Sequence, residues 1–452
     1  MNSTEVALYV STLTAGSIPD GARRRARERL RDTIATALGG ATTTAARTAE
    51  RTMAADLGEF RTLGPGAATR TASAAAFVSS VAASALDFDD GHYLGGAIHP
   101  SSVIVPSVLV AASTRPVSFE ALLTAQIAGF EVAVRVAHLL WPRDETARWF
   151  CTGTAGAVGA AAAAAKVRGG DADTIRRSML IAWSHAPTAA LQFPSVKEAI
   201  GWSAATGLTA CRLAENGWMS LPAGVDAPAP PAIFPPTPLE EAHASGDPFV
   251  GSLGQVFEIE RSYLKPHAAC RYTHTAVDAL ADLRADGLRP EHIRSIRVAT
   301  HRGATFLTHD RPPSLEHAQY SYPFVLGAMA VDGAAGPQQI AEHRLTDPAI
   351  LDLAARVSVV HDPELDTHLP HHYGTSLEVV LAGGGTLRPE PRLTARGDTE
   401  APLDEATLDA KFASLVEPLS VDGADTLRQV LADDGDSEAI WRAIATCTGD
   451  AR

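Results

Sequence analysis

The stretch TGTAGAVGAAAAAAKVRGG, residues 152–170, constrains the fold of this chain more than any other. Alanine and glycine at nearly every position leave so little side-chain bulk that neighbouring helices can approach closely in a multi-helix core. AAAFVSSVAASALDF (74–88) and FEALLTAQIAGFEVAVRVAHLL (119–140) share this small-residue or helical rhythm, so residues 70–220 read as a helical body. The apolar run 155–167 is weakly apolar and is closed by Lys166. It falls short of the ~20 strongly apolar residues that a membrane span needs.

Upstream, ARRRARERLRDTIATALGG reads as a helix stopped at Gly39-Gly40. Residues 221–248, LPAGVDAPAPPAIFPPTPLEEAHASGDP, are a proline-rich connector. Beyond it, HIRSIRVAT (292–300) and GTSLEVVLAGGGTLRPE, from residue 374, alternate as strands, the second with a glycine-run hairpin. Helical stretches lie near 274–286 and 317–332, and the tail 402–446 is helical again. The order predicts a mostly α protein with an α+β segment inserted late.

A net charge of −14 argues against nucleic acid, since phosphate binding needs a basic surface. Four scattered cysteines without a CxxC pair read as reduced thiols, and the N-terminus has no signal-peptide pattern, so a cytoplasmic location is expected. Lysine occurs only at Lys166, Lys197, Lys265 and Lys411 among 38 basic residues. A lysine kept against an arginine bias can do what arginine cannot, because its proton affinity moves readily on burial.

Five segments can carry chemistry. DFDDGHYLGGAIHP (87–100) holds Asp87, Asp89, Asp90, His92 and His99, with His99 where a loop meets an apolar helix. LKPHAACRYTHTAVDAL (264–280) concentrates Lys265, His267, Arg271 and His274, with Thr273 placed to cap the following helix. SVKEAIGWSAATGLTACRLAENG (195–217) carries Lys197, which alone reads as a surface lysine with a buried stem. RWFCTGTAG offers a Thr-Gly-Thr turn containing Thr152, and HAQYSYPFVLGAMAVDG (317–333) offers Tyr320, Ser321 and Tyr322. Metal ligation by the Asp/His cluster, or by Cys270 with His274, lacks a defined ligand spacing.

In combination these segments resemble the MmgE/PrpD family of 2-methylcitrate dehydratases, cis-aconitate decarboxylases and iminodisuccinate epimerases. The match runs in order through AAFVSSVAASALDFDD…HP, TGTAGAVGAAAAAAK, VK…GLTACRLAENG, KPHAACRYTHTAVDAL, HAQYSYPFVLGAMAVDG and RGDTEAPLDEATLDAKF. The resemblance implies a large all-helical domain formed by both chain ends, with an inserted α+β lid: 1–262, 263–394 as the lid, and 395–452 returning. It implies a homodimer acting on a small-molecule substrate in an interdomain cleft, with no metal or organic cofactor, and no nucleic-acid or membrane partner. Family functional positions fall on Asp87, His99, Lys197 and Lys265.

Three family positions differ. The usual His-x-Thr-Gly reads Phe150-Cys151-Thr152-Gly153, the tyrosine after Ser-x-x is Phe324, and the threonine after Asp-Asp is Gly91. A phenyl ring neither donates nor accepts a proton, so Phe150 and Phe324 predict a larger, less charged substrate. The expected chemistry is a cofactor-independent lyase, a dehydratase of a β-hydroxy-carbonyl compound in specialised metabolism, with Michael-type ring closure as a further step. An ordinary dehydratase, decarboxylase or epimerase is the alternative, and a non-catalytic scaffold a third. On the first reading Lys265, helped by Arg271, stabilises the enolate. His99, oriented by Asp87, is the acid or base, and Lys197 assists the departing hydroxyl. Thr152 and His274 bind substrate, and His92 and Tyr322 substitute for the missing imidazole and phenol.

Overall fold

Several helices of this chain begin where a short polar side chain can take the free amides of a first turn. Asn2, Asp171, Asp404, Ser420 and Asp436 each accept from a backbone amide of the helix that follows. The structure is a computed structural model that describes residues 2–64, 69–94, 97–140, 151–187, 197–218 and 246–449. Phe150 and nearly all of the proline-rich connector lie outside those residues.

The principal helices are α1 (Ser3–Thr12), α2 (Asp20–Gly40), α3 (Ala72–Ser84), α4 (Ser101–Ala112), α5 (Phe119–Leu140), α6 (Cys151–Val167), α7 (Ala172–Ser184) and α8 (Lys197–Glu215). α9 (His274–Ala285), α10 (Tyr322–Asp332) and α11 (Pro348–Ala354) belong to the lid region. α12 (Glu405–Val416), α13 (Val421–Ala432) and α14 (Ser437–Thr448) return to the body, where α12 packs on α2. The protein is thus mostly α, with helical N- and C-terminal regions flanking a strand-containing lid.

Six strands matter here: β1 (Asp90–Gly91), β2 (Tyr263–Leu264), β3 (Ile293–Thr300), β4 (Val357–His361), β5 (Thr375–Leu381) and β6 (Thr386–Leu387). The lid sheet has the order β4-β3-β5-β6, with β3 parallel to β4 and antiparallel to β5. The glycine run at 383–385 makes the β5–β6 turn, where Leu381 donates to the carbonyl of Gly385. Alternating burial along β3 and β5 turns Ile296, Val298, Leu377 and Val379 inward against α9 and α10.

The alanine-rich sequence is explained by the crossings of α5, α6 and α8. A Cβ on Gly159 would lie 2.6 Å from the carbonyl oxygen of Gly129, and one on Gly129 would lie 2.8 Å from that of Gly159. A Cβ on Gly207 would lie 2.5 Å from that of Ala160. Backbone meets backbone at these points, so a side chain can enter only by separating the helices. α5 is the one described helix long and apolar enough to cross a membrane, but 89% of its apolar window is buried, as in a core helix.

Two local expectations change. Thr273 does not cap α9, because its hydroxyl donates to the carbonyl of Cys270, 2.9 Å away. Thr152-Gly153-Thr154 is not a turn leading into a helix but lies within α6 itself. Gly159→Val should lower stability by about 2–3 kcal/mol through overpacking, whereas Gly16→Ala, with nothing within 4 Å of the new methyl, should be neutral. Thermal melts of the two variants check this.

Candidate active site

The antiparallel pair β1–β2 builds the site. Asp90 pairs with Leu264 and Gly91 with Tyr263, which brings the Asp87–Asp90 turn beside Lys265 from far along the chain. Gly91 has a steric reason: a Cβ there would lie 2.3 Å from Cζ of Tyr263. The ring of Tyr263 fills the space that a threonine would need.

Lys265 is fully buried. Its Nζ lies 3.1 Å from Asp89 Oδ1 and 3.3 Å from Asp87 Oδ1. Lys197 at the start of α8 donates to the same Asp87 oxygen at 3.0 Å. Burial pushes the Asp87 carboxyl up, but the ammonium groups of Lys197 and Lys265 hold it below its ordinary value. Asp89 follows the same logic, held low by Lys265 and His99 against its burial. Burial would make Lys265 a weaker base, yet Asp87 and Asp89 raise its proton affinity, so the ammonium stays charged.

Asp87 has a left-handed backbone, φ +50°, uncommon for a residue with a side chain. Its amide donates to the Ser84 carbonyl at 2.9 Å. Asp87 Oδ2 is buried and has no hydrogen-bond partner among the described residues. A buried carboxylate oxygen without a donor is costly, and it marks where a donor on a bound molecule would be satisfied.

His99 approaches from the other side of Asp89. Nδ1 donates to the Asp90 carbonyl at 2.7 Å and lies 3.4 Å from Asp89 Oδ1. This leaves Nε2 as the ring's free nitrogen. Thr152 Oγ1 accepts from the His99 amide at 3.0 Å, so α6 fixes the histidine backbone. His99 keeps 16% side-chain exposure against 0–5% for Lys265, Asp89, Asp87 and Lys197, so the ring is the most accessible member of the group. Asp90 turns away and binds the α4 N-terminus, accepting from both the amide and the hydroxyl of Ser101.

The sequence reading therefore meets several differences in placement. The carboxylate beside His99 is Asp89, while Asp87 faces the two lysines; residues 87 and 89 project alike and the intervening residue does not. Lys197 is no surface lysine, being 4% exposed and ion-paired. Every donor-bearing nitrogen of Arg271 has a protein partner: Nε donates to Tyr93, Nη1 to His274 Nδ1 and the Arg396 carbonyl, and Nη2 to Asp398. It clamps the lid to the loop after β1, and these contacts use four of its five N–H groups. His92 is buried against Glu258, 3.0 Å from Nε2 to Oε2, and Tyr322 donates to the Tyr272 carbonyl at 2.6 Å inside the lid. Both are engaged by these partners. Phe324 is fully buried in the apolar core on α10.

His274 donates from Nε2 to the Ala269 carbonyl at 3.1 Å and accepts from Arg271 at Nδ1, which fixes it neutral. Burial, with Arg271, His267 and Lys265 nearby, puts its pKa well below the usual histidine value. Sequence reasoning passed over Asp32 and Lys411, which join the chain ends beneath the Asp87–Asp90 turn. Lys411 Nζ donates to Asp32 Oδ1 at 2.7 Å and to the Phe88 carbonyl at 2.6 Å. The rarity of lysine was the signal available. Among the described residues, no group of three or more His, Cys, Asp or Glu side chains is arranged to hold a metal ion.

These proton affinities carry a sign. His274 stays neutral when folded and takes up a proton below pH ~6.5 when unfolded, so its share of stability is present above that pH and lost as pH falls. His301, lowered to about 4 by burial, acts in the same direction. Asp90, pushed up to about 6 by burial, opposes them between ~4 and 6. His317, also lowered by burial, acts with the two histidines, while Asp32 and Glu131, raised by burial, act with Asp90; the histidines thus supply a slope in which stability falls as pH drops below ~6.5, and the carboxyls oppose it. Denaturant unfolding at a series of pH values should show this slope, and His274→Gln should flatten it.

Comparison with known proteins identifies the family. Residues 4–228 match the MmgE/PrpD N-terminal domain and residues 267–434 the MmgE/PrpD C-terminal domain. Over 389 residues the chain is 28% identical to the cis-aconitate decarboxylase of Homo sapiens, spanning 80% of this chain and 77% of that one. It is 25% identical over 404 residues to the cis-aconitate decarboxylase of Aspergillus terreus, covering 80% and 79%. A cis-aconitate decarboxylase-like protein of Aspergillus oryzae is 24% identical over 417 residues, covering 85% and 84%. With both domains matched in order, this chain belongs to the MmgE/PrpD family and is a lyase of that family.

Proposed function

We propose that the chain is a cofactor-independent lyase that decarboxylates an unsaturated polycarboxylic acid of the cis-aconitate type. The observation that carries this reading is the buried series Lys197–Asp87–Lys265–Asp89–His99, which puts two ammonium groups and an imidazole around one unpartnered carboxylate oxygen. The relatives' activity supports the choice of decarboxylation.

The chemistry follows from the placement. A substrate carboxylate settles by the lysines, and a protonated carboxyl or hydroxyl on it donates to Asp87 Oδ2. When the bond to the departing carboxylate breaks, carbon dioxide leaves and the electron pair is delocalised onto the remaining carbonyl oxygens. Lys197 and Lys265 face that growing charge inside a site that excludes water, where a fixed cation is worth most. His99 Nε2, protonated beforehand, delivers the proton to carbon, and the Asp90 carbonyl and Asp89 hold the imidazolium meanwhile.

A second reading is elimination of water from a β-hydroxy-carbonyl compound, and the charge balance favours it. Asp87 and Asp89 neutralise Lys197 and Lys265, and Arg271 is taken by Asp398, so among the described residues no fixed positive surplus awaits a trianion. Here His99 Nε2 takes the proton next to the carbonyl, and the hydroxyl leaves with a proton from Lys197. The conjugated alkene so formed is open to ring closure by an internal nucleophile. Phe324 gives this reading less support than its sequence position implied, since its ring belongs to the apolar core.

Mass spectrometry with cis-aconitate, 2-methylcitrate and uncharged β-hydroxy thioesters separates the readings: loss of 44 Da marks decarboxylation, and loss of one water marks elimination. No mass change with any of them removes both. His99→Asn, which keeps a donor toward the Asp90 carbonyl, should lower kcat by roughly 10²–10⁴ with little change in melting temperature. Wild-type turnover in that variant would take His99 out of the chemistry.

A further inference from the structure

We propose that Lys411, held by Asp32, is a positioning residue that sets the Asp87–Asp89 turn for catalysis from the opposite side to the substrate. The inference rests on the lyase reading above, because it assigns a purpose to the turn.

Asp87 and Asp89 grip Lys265 only if Phe88 between them points the other way and the turn keeps its left-handed residue. Lys411 meets that need at a single atom. Its Nζ donates to the Phe88 carbonyl and stands 4.0 Å from the centroid of the Phe88 ring, so it holds both the backbone and the side chain of the residue between the two aspartates. The ammonium is 96% removed from solvent on its side chain, and its one carboxylate partner is Asp32 Oδ1 on α2. The charged groups around it are Asp32, Asp89 and Lys265, so it also adds to the field at Asp89.

Asp32 is oddly placed for a purely structural anchor. Its second oxygen, Oδ2, is buried without a partner, and the residue forms part of the wall of a cavity of about 400 Å³ between α2, α12 and α13. Burying a carboxylate with half its acceptor capacity unmet is costly, and an apolar pair at these positions would fill the space better. What the pair supplies that an apolar pair lacks is a donor to the Phe88 carbonyl. The N-terminal helix and the C-terminal return thus meet at the back of the catalytic turn.

Lys411→Met alone strands Asp32 and is expected to melt early, so the deciding variant is Lys411→Met with Asp32→Asn, which removes both charges. In the full chain this double variant should recover most of the melting temperature lost by the single variant. Its kcat should stay roughly 100-fold below wild type, as for a small misplacement of reacting groups, with KM changed only a few-fold. Hydrogen exchange should rise several-fold in peptides covering residues 84–92 and not in α5. Wild-type kcat in the double variant overturns the proposal, and so does unchanged exchange in the 84–92 peptides. Should the wild-type chain turn over none of the acids tested, the lyase reading fails by itself, and the exchange measurement still decides whether Lys411 holds the turn.

Discussion

An ammonium group sealed between two carboxylates governs the rest of this molecule. Removing Lys265 from water costs several kcal/mol, and only partners on both sides offset that cost. Asp87 and Asp89 supply them because they are two residues apart on a turn whose first member takes a left-handed backbone. The β1–β2 pair brings Lys265 to that turn, α8 brings Lys197, and α6 fixes the His99 backbone through Thr152. Lid and body also touch the turn directly: Gln319 of the lid donates to the Ala85 carbonyl at 2.9 Å.

The charge pattern has a chemical consequence. The paired lysines and aspartates cancel, so the site is close to neutral until His99 gains a proton or a substrate adds charge. Such a site discriminates by where charge develops more than by how much charge the ligand brings, which is the requirement for a transition-state stabiliser. The free points are Asp87 Oδ2 and His99 Nε2, one an acceptor and the other able to take or give a proton. Loss of carbon dioxide and loss of water are alternative uses of the same pair, which is why family membership fixes the reaction class before it fixes the reaction.

Local features were legible in the sequence because their causes are local. The strand alternation at 292–300 and the glycine run after Leu381 describe their own elements, and α2 ends at Gly40, as the glycine pair implies. The alanine-rich helices announce close crossings, and the crossings are there at Gly129 and Gly159. Lysine scarcity proved more telling than any motif. Lys197, Lys265 and Lys411 are buried and ion-paired, and Lys166 donates to the carbonyls of Ser11 and Leu13. What the sequence hid is set by tertiary contacts and by one backbone angle. That Asp89 and not Asp87 meets His99 depends on a backbone angle, and that Arg271 is occupied depends on Asp398 and Tyr93. The placing of Tyr322 depends on Thr300 and Tyr272, which no spacing rule connects to it.

The scarcity of lysine also makes the central claim directly measurable. With only four lysines in the chain, protein carrying ¹⁵N at lysine Nζ gives few side-chain signals, assignable by single substitution. Flanked by Asp87 and Asp89, Lys265 should hold its proton up to at least pH ~10, and its signal should move when a substrate acid is added. A Lys265 signal that titrates near neutral pH, or that ignores every acid the enzyme turns over, would contradict the account.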